Sequence, residues 1–329
     1  MPEGCYTRAG GTGVAPAREN RPMAAASETV TAPSRPMYGI LLVVLATLAF
    51  AIGDTMTKQQ AMRHPVAVVI AVRYLVNLGL LTVFLGPRLG AGLWRTGRPW
   101  LVPLRGLCLA LASLTMGMAL QVMPLGETVA ITYLAPFAVM LLAIPLLGER
   151  VGPASWIGVA VGFLGVLLIA RPGGGLAPLG VALALVNAGF ATGYHLMTRY
   201  LARTENVVAM LYQAALVGTL FFGIAALGSL DALEIDLADL AMMVAIGVSS
   251  TLGHFLFTAA YREAPAALLA PVNYVHLAWA GGLGWLVFGH LPDGLGLTGM
   301  VLVASSGILI ALNARAVRAK SRHDVEETG

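Results

Sequence analysis

Ten apolar stretches, each about as long as a membrane-spanning helix, run through most of this sequence. A helix needs roughly 20 apolar residues to cross about 30 Å of hydrocarbon. Only helices and closed barrels satisfy the backbone in lipid, and these runs are too long for barrel strands. The sequence therefore predicts an all-α polytopic membrane protein with ten transmembrane helices, at 37–57, 65–86, 100–121, 126–147, 154–171, 177–200, 206–228, 238–261, 266–289 and 295–313.

Charged residues are too few for a soluble protein of this size. Of the 329 residues, 11% are charged and 58% are hydrophobic, whereas soluble domains carry roughly a quarter charged residues. The basic residues lie between the apolar runs and form no single face, so we expect no nucleic-acid partner. The two cysteines, Cys5 and Cys108, indicate no disulfide framework.

Basic residues are distributed asymmetrically between alternate loops, and this predicts the orientation. With the N-terminus in the cytoplasm, the inside segments carry fifteen basic residues and the outside segments three. We therefore predict a multi-pass protein of the cell inner membrane with both termini cytoplasmic. The inside residues are Arg8, Arg18, Arg21, Arg35, Arg88, Arg95, Arg98, Arg150, Arg199, Arg203, Arg262, Arg315, Arg318, Lys320 and Arg322, and the outside ones are Lys58, Arg63 and Arg171.

Two tails flank the apolar region. Residues 1–36 are rich in Ala, Gly, Pro, Thr and Glu and contain no apolar run, which predicts a disordered cytoplasmic tail without a signal peptide. Translation could start at Met1, Met23 or Met37. Residues 314–329 predict a second cytoplasmic tail of mixed basic and acidic character.

The two halves of the chain align at an offset of 140 or 141 residues. Pro124 meets Pro265 and Tyr133 meets Tyr274, with further matches in register across five helices. A repeat of five helices is odd-numbered, so the second repeat must enter the membrane from the opposite side. We predict two inverted repeats, 37–171 and 177–313, an architecture that places substrate sites near the midplane between the halves.

The sequence Pro124-Leu125-Gly126-Glu127, followed by Tyr133-Leu134-Ala135-Pro136-Phe137 and Leu147-Gly148-Glu149-Arg150, resembles the EamA-type family of the drug/metabolite transporter (DMT) superfamily. The second half departs from the family pattern, with Leu277 at the position of Pro136 and His290 at that of Glu149. The stretch Gly253-His254-Phe255 with Ala270-Pro271 is similar to the branch of riboflavin and S-adenosylmethionine importers. The resemblance implies a ten-helix secondary transporter.

Charged residues within the spans nominate a site, because a charge at a helix centre costs about 2.5–3.5 kcal/mol on insertion scales. Arg73 aligns with Gln213 in the repeat, so we expect both at the same depth, with Arg73 as a contact for an anion or a ring edge in a central cavity. A structural arginine that is satisfied by backbone carbonyls or paired with Asp54 is the alternative. Asp54 is a candidate carrier of a coupling proton, or a simple helical partner of Lys58 four residues on. For Arg105, near the start of its span, we expect snorkelling.

Aromatic and imidazole side chains on several spans form a second group of candidates. Rings supply stacking faces, and a few polar groups orient a ligand in an apolar cavity. Core packing and interfacial aromatic belts are the alternative explanation. The predicted substrate-binding residues are Arg73, Tyr133, Tyr194, His195, Gln213, His254, Asn273, Tyr274, His276 and Trp279.

Two glycine patterns predict packing rather than chemistry. The G-x-G-x-x-G at 294–299 opens an apolar span and follows no soluble strand, so it indicates no dinucleotide site. Gly158 and Gly162 form a G-x-x-x-G that favours helix contact, within the chain or in a homodimer. We expect no cofactor and no metal.

The predicted function is secondary transport of a small metabolite by alternating access. Riboflavin-like molecules are the first expected substrate, and export of amino acids or related metabolites is the alternative. Few acids line the spans, which weighs against cationic substrates. A polytopic membrane enzyme is the main alternative from another class, but it would need catalytic acids, histidines or metal ligands clustered at one interface.

Overall fold

A computed structural model describes residues 35–147, 153–171, 175–202, 204–229, 234–264 and 266–328. Within these ranges the chain is helical and contains no strand. The first repeat contains α1 (Pro36–Ala61), α2 (Val66–Leu89), α3 (Leu101–Val122), α4 (Leu125–Thr132), α5 (Leu134–Leu147) and α6 (Pro153–Ile169), with a short 3₁₀ turn at Gly90–Leu93.

The second repeat follows the same plan. It contains α7 (Pro178–Leu201), α8 (Val207–Leu227), α9 (Leu237–Glu263), α10 (Ala266–Leu269), a 3₁₀ turn (Ala270–Tyr274), α11 (Val275–Phe288) and α12 (Gly294–Thr328). Helix α4 continues into α5, and α10 continues through the 3₁₀ turn into α11, so each repeat has one span built from consecutive short pieces.

Large apolar side chains cover the outside of the bundle. Phe84 is 67% exposed, Phe255 70% and Leu286 75%, which is the reverse of a soluble surface but suits contact with lipid. Seven spans in the described residues are long and apolar enough to cross a membrane, two more apolar helices are shorter, and the interrupted segment 266–288 completes ten. The protein is a polytopic membrane protein with ten transmembrane helices arranged as two inverted five-helix repeats.

Each helix of the first repeat packs against helices of the second. The main contacts pair α1 with α9, α3 with α7, α2 with α8, and α6 with α12. Helix α1 corresponds to α7 in the second repeat, and α3 corresponds to α9, so the α1–α9 and α7–α3 contacts are equivalent to each other. The α2–α8 and α6–α12 contacts each join two helices that occupy equivalent positions in the repeats. We call the end of the bundle where α1 begins the proximal face and the opposite end the distal face.

Small residues allow close contact between α6 and α12. A Cβ on Gly165 of α6 would lie 2.7 Å from the carbonyl oxygen of Gly299 on α12, so the two backbones touch without side chains between them. Close approach of this kind is typical of membrane helices, which gain no hydrophobic driving force from lipid-like surfaces. Gly158 and Gly162 also face α12, beside Ile310 and Ser306. The predicted G-x-x-x-G contact is therefore made within the chain.

The sequence predicts a tail at each end of the chain. Of the predicted N-terminal tail, residues 1–34 lie outside the described ranges, as do Arg150 and Arg203. At the other end, the sequence predicts a separate tail at 314–329, but α12 continues without interruption to Thr328. The tail thus begins as an extension of the last span.

Candidate functional site

A cavity of about 510 Å³ lies between the two repeats, beside both interrupted spans. The first interruption is at Tyr133, between α4 and α5, and the second is the 3₁₀ turn ending at Tyr274. Pro136 and Pro271 lie at these breaks, and neither has an N–H for the preceding turn. The lining residues are Thr47, Phe50, Thr132, Tyr133, Ala135, Pro136, Phe137, Met140, Asn187, Ala191, His195, Phe257, Ala270, Asn273, Tyr274, His276, Gly307 and Ile310.

Two tyrosines, one from each interrupted span, form an aromatic wall. The ring centroids of Tyr133 and Tyr274 are 5.0 Å apart, and the Tyr133 hydroxyl donates to the Asn273 carbonyl oxygen at 2.8 Å. The Tyr274 ring lies directly over Gly307 of α12, where any Cβ would collide with it. Equivalent residues of the two repeats therefore meet at the centre of the bundle.

Two residues of the lining have buried polar atoms that make no hydrogen bond. His276 Nε2 lies 3.4 Å from Asp54 Oδ2 but makes no hydrogen bond, and Asn273 Oδ1 is also buried without a hydrogen-bond partner. The ring of His276 is 6.1 Å from that of Tyr133. A buried polar group without a hydrogen-bond partner is costly. A bound molecule that forms hydrogen bonds with these atoms would remove that cost. Asp54 contacts His276 rather than Lys58 or Arg73.

Arg73 is not among the residues that line the cavity. Its Nη2 donates to Ser113 Oγ at 2.7 Å, and its guanidinium lies 4.9 Å from the centroid of the Tyr74 ring. Neither contact involves an acid.

The expected pairing of Arg73 with Gln213 at one depth is corrected by the inversion of the repeats. Arg73 lies two turns from the distal start of α2, whereas Gln213 lies the same distance from the proximal start of α8. Gln213 Nε2 donates to the Trp94 carbonyl at 2.9 Å and does not line the cavity. Away from the midplane, residues that align in inverted repeats lie on opposite sides of it.

Arg105 is buried, so the snorkelling prediction is wrong. Only 2% of the residue is exposed. It donates to Tyr194 Oη at 2.8 Å, Thr198 Oγ1 at 2.6 Å and the Met210 carbonyl at 3.0 Å. The three acceptors belong to α7 and α8 and hold the guanidinium inside the bundle. Tyr194 is occupied by this contact, and its ring packs against that of His195, 5.2 Å away.

Two further predicted site residues lie at different distances from the cavity. His254 packs edge-on against Phe50, with ring centroids 5.0 Å apart, and Phe50 lines the cavity. Trp279 lies about one turn beyond His276 on α11, and its Nε1 is buried without a hydrogen-bond partner. Trp279 does not line the cavity. Among the predicted residues, the structure brings Tyr133, His195, Asn273, Tyr274 and His276 together there.

The cavity extends from mid-span toward the proximal face and is closed on the distal side. A buried apolar cluster that includes Leu120, Met123 and Val129 fills the distal half. Beyond it, Lys58 Nζ donates to the carbonyl oxygens of Leu120 and Met123, at 2.6 and 2.7 Å. Glu127 Oε1 lies 2.8 Å from His290 Nε2. These contacts seal the distal end between α1, α3, α4 and the loop before α12.

Sequence reasoning missed several lining residues, among them Thr47, Phe50 and Asn187. Asn187, an amide in the middle of α7, was the detectable signal, since polar side chains in spans usually face the interior. It donates to the Ala112 carbonyl at 2.6 Å. Within the described residues, no group of three or more His, Cys, Asp or Glu side chains is arranged to hold a metal ion.

The comparison with protein families agrees with this two-fold architecture. The model of the EamA-like transporter family matches the chain twice, at residues 37–171 and 178–312. The chain belongs to the EamA-like transporter family. The predicted transport function is therefore confirmed at the level of the family, without a specific substrate. The matched residues include both interrupted spans and the residues that line the cavity between them.

Relatives within the EamA family have names that differ in substrate and direction. The riboflavin transporter of Rhizobium johnstonii is 30% identical over 284 residues, covering 85% of this chain and 93% of that protein. The pseudopaline exporter CntI of Pseudomonas aeruginosa is 28% identical over 274 residues, covering 83% and 95%. The S-adenosylmethionine uptake transporter of Rickettsia bellii is 24% identical over 283 residues, covering 86% and 96%.

A solved crystal structure supports the fold. It matches with a TM-score of 0.61 at 19% sequence identity, and the match covers 84% of this chain and 98% of the other. Similarity at this identity concerns the arrangement of the helices and not the substrate.

Proposed function

We propose that this protein is a secondary transporter of the inner membrane that moves a small, partly aromatic or heterocyclic metabolite by alternating access of its two repeats. A riboflavin-like molecule is the first candidate. The observation that carries the proposal is the cavity of about 510 Å³, which falls in the range of about 300–1,000 Å³ typical of small-molecule sites. It lies between the repeats, where inverted-repeat transporters bind their substrates.

The lining supports a ring-bearing substrate. Tyr133, Tyr274, Phe50, Phe137 and Phe257 offer ring faces or edges, and stacking on such rings contributes about 0.5–1.5 kcal/mol beyond area burial. Asn273 and His276, whose Oδ1 and Nε2 atoms make no hydrogen bond, provide the few polar contacts that would orient a flat heterocycle. A relative named riboflavin transporter at 30% identity supports the same choice.

Growth of a riboflavin auxotroph at limiting riboflavin tests this function. The native chain is expected to rescue growth and to take up labelled riboflavin. Tyr274→Leu, which removes the ring, should abolish uptake, whereas Tyr274→Phe keeps the ring over Gly307 and should retain most of it. Membrane expression of the variants must be equal. No flavin uptake by the native chain would remove riboflavin as the substrate.

Export of amino acids or related metabolites is the second candidate. It is favoured by the pseudopaline exporter, which matches over 83% of this chain. Import and export are separated by loading vesicles of both orientations with label and following efflux and uptake. Accumulation against a gradient in only one direction identifies the physiological one.

Asp54 is the proposed carrier of a coupling proton, with His276 as its partner. The two side chains, 3.4 Å apart and 23% and 14% exposed, belong to α1 and α11 and therefore to different repeats. Protonation of either one changes the attraction between the repeats. Uptake by Asp54→Asn should no longer respond to an imposed proton gradient, although exchange of labelled for unlabelled substrate continues. An unchanged response in this variant would exclude Asp54.

A further inference from the structure

Two arginines within the spans have only neutral partners among the described residues. Arg105 bonds to two hydroxyl groups and a backbone carbonyl. Arg73 bonds to one serine hydroxyl and stacks on Tyr74, and its buried Nε has no hydrogen-bond partner. Charges inside membrane proteins usually pair with one another or serve a ligand, because each costs about 2.5–3.5 kcal/mol at a helix centre.

The acids of the described bundle are engaged elsewhere. Asp54 faces His276, Glu127 faces His290, and Asp239 is held at the distal face by Gln60 and His64. Glu205, on the proximal face, accepts from the backbone N–H of Gly97. No described acid neutralises Arg73 or Arg105, so the bundle interior carries uncompensated positive charge.

This positive charge borders the cavity. Arg105 donates to Tyr194, whose ring packs against that of His195, 5.2 Å away. The Arg73 carbonyl oxygen lies against Gly247 of α9, and His254 follows two turns further along the same helix. His195 lines the cavity, and His254 packs against its lining residue Phe50. We name Arg73, Arg105, His195 and His254 the basic cluster. Of these four residues, His195 lines the cavity, and the other three extend the cluster away from it into the bundle.

We propose that the basic cluster is the subsite for an anionic group of the transported molecule, a carboxylate or a phosphate. The proposal rests on the transport function proposed above and specifies the class of substrate. A guanidinium presents a planar fork that binds either group through two hydrogen bonds. Arg73 is the principal contact, since its Nε is free and Arg105 already uses Nε, Nη1 and Nη2. The substrate then supplies the counter-charge that the protein lacks.

Stability without ligand separates a binding arginine from a structural one. Arg73→Gln removes an uncompensated charge and leaves Ser113 and Tyr74 bonded to each other at 3.0 Å. We expect the thermal unfolding midpoint of the purified, ligand-free variant to equal or exceed that of the native chain. Arg98→Gln is the matched control, since Arg98 also contacts a tyrosine, Tyr200, with its guanidinium 4.8 Å from that ring, but lies outside the spans.

Binding of matched probes tests the charge preference. One pair is riboflavin and riboflavin 5′-phosphate, and the other is N-acetylphenylalaninamide and N-acetylphenylalanine. In at least one pair, the anionic member is expected to bind about tenfold to a hundredfold more tightly, the range that charge-assisted hydrogen bonds provide. Arg73→Gln should abolish this difference, whereas Arg98→Gln should preserve it.

The possible results are distinct. A lower midpoint for ligand-free Arg73→Gln, or equal binding within both pairs, including no binding, overturns the anion subsite. If riboflavin is nevertheless taken up, the proposed function stands without the subsite. If only anionic probes bind and riboflavin is not transported, the subsite stands and riboflavin is replaced as the substrate.

Discussion

Lys58 shows how one side chain can join several helix ends. It is 8% exposed, and its ammonium group donates to Leu120 and Met123 at the end of α3, where helix carbonyls lack partners within the helix. The charge of Glu127 acts on it from the first turn of α4, and its ammonium group lies 5.3 Å from the centroid of the Phe288 ring. A lysine predicted to lie in an outside loop thus contributes to the closed distal end.

Replacing Lys58 by methionine should destabilise the protein. The change keeps an unbranched side chain, one atom shorter, but leaves two carbonyl groups without their donor, at a cost of about 1.5–3 kcal/mol. The measurement is the free energy of unfolding in mixed detergent–lipid micelles. Arg63→Gln is the control, because Arg63 is 72% exposed and 3.5 Å from Asp239, and such surface pairs contribute about 0–1 kcal/mol. Equal losses in the two variants would contradict the account.

At the scale of the helix, hydrophobic length predicted every span, but not its interruptions. The predicted boundaries agree with the observed helices within a few residues, apart from the extension of α12. Length could not locate the breaks at Tyr133 and Tyr274, since both segments remain apolar throughout. Pro136 and Pro271 were the available signal, and the inverted alignment of Tyr133 with Tyr274 had already marked equivalent positions.

The contact between α6 and α12 should not tolerate an added methyl group. Gly165→Ala places a Cβ 2.7 Å from the Gly299 carbonyl, and overpacking of this kind costs about 1–3 kcal/mol. Gly223→Ala, in α8, is the control because no atom lies within 4 Å of its Cβ. We expect a lower thermal midpoint only for the first variant. A similar midpoint in both would show that α6 and α12 can separate without cost.

The loop before α12 should weaken at low pH. The pKa of Asp293 is held below its usual value of 3.8, mainly by the hydrogen bond from the backbone N–H of Gly296 and next by the Arg171 side chain. Because this pKa is lower in the folded than in the unfolded state, ionised Asp293 stabilises the folded protein above about pH 3.8. This stabilisation is lost as the pH falls through the folded-state pKa. Below about pH 3.8, the midpoint of Asp293→Asn should therefore fall less steeply than that of the native chain. Glu234→Gln, at an exposed acid, serves as control, and identical slopes for both variants would contradict the prediction.

At the scale of the whole molecule, five of the ten predicted substrate-binding residues line the cavity. Tyr133, His195, Asn273, Tyr274 and His276 are rare polar or aromatic groups in apolar spans, so composition alone marked them. Phe50 was missed because helices that are apolar on every side give no period that separates the lipid face from the interior. The role of Arg105 depends on partners in another repeat, and no local pattern contains that information.

Orientation in the membrane is a further prediction. In a background without Cys5 and Cys108, single cysteines at Glu234 and Arg95 should be labelled from opposite sides by a reagent that cannot cross the membrane. The positive-inside asymmetry places Arg95 in the cytoplasm and Glu234 outside. Both positions are exposed in the structure. Labelling of both from one side would invalidate the topology.

The hydrogen-bond partners of Arg105 are synthesised after it, and this delay affects how the protein inserts and folds. Tyr194, Thr198 and Met210 follow it by 89, 93 and 105 residues. At about 5–20 residues per second, the ribosome needs on the order of 5–20 seconds to produce them. During that interval the third span holds a charge that its own half cannot satisfy. The first five spans, α1 to α6, are therefore an assembly intermediate. It must stay near the insertion machinery or near water until the sixth and seventh spans, α7 and α8, have been made.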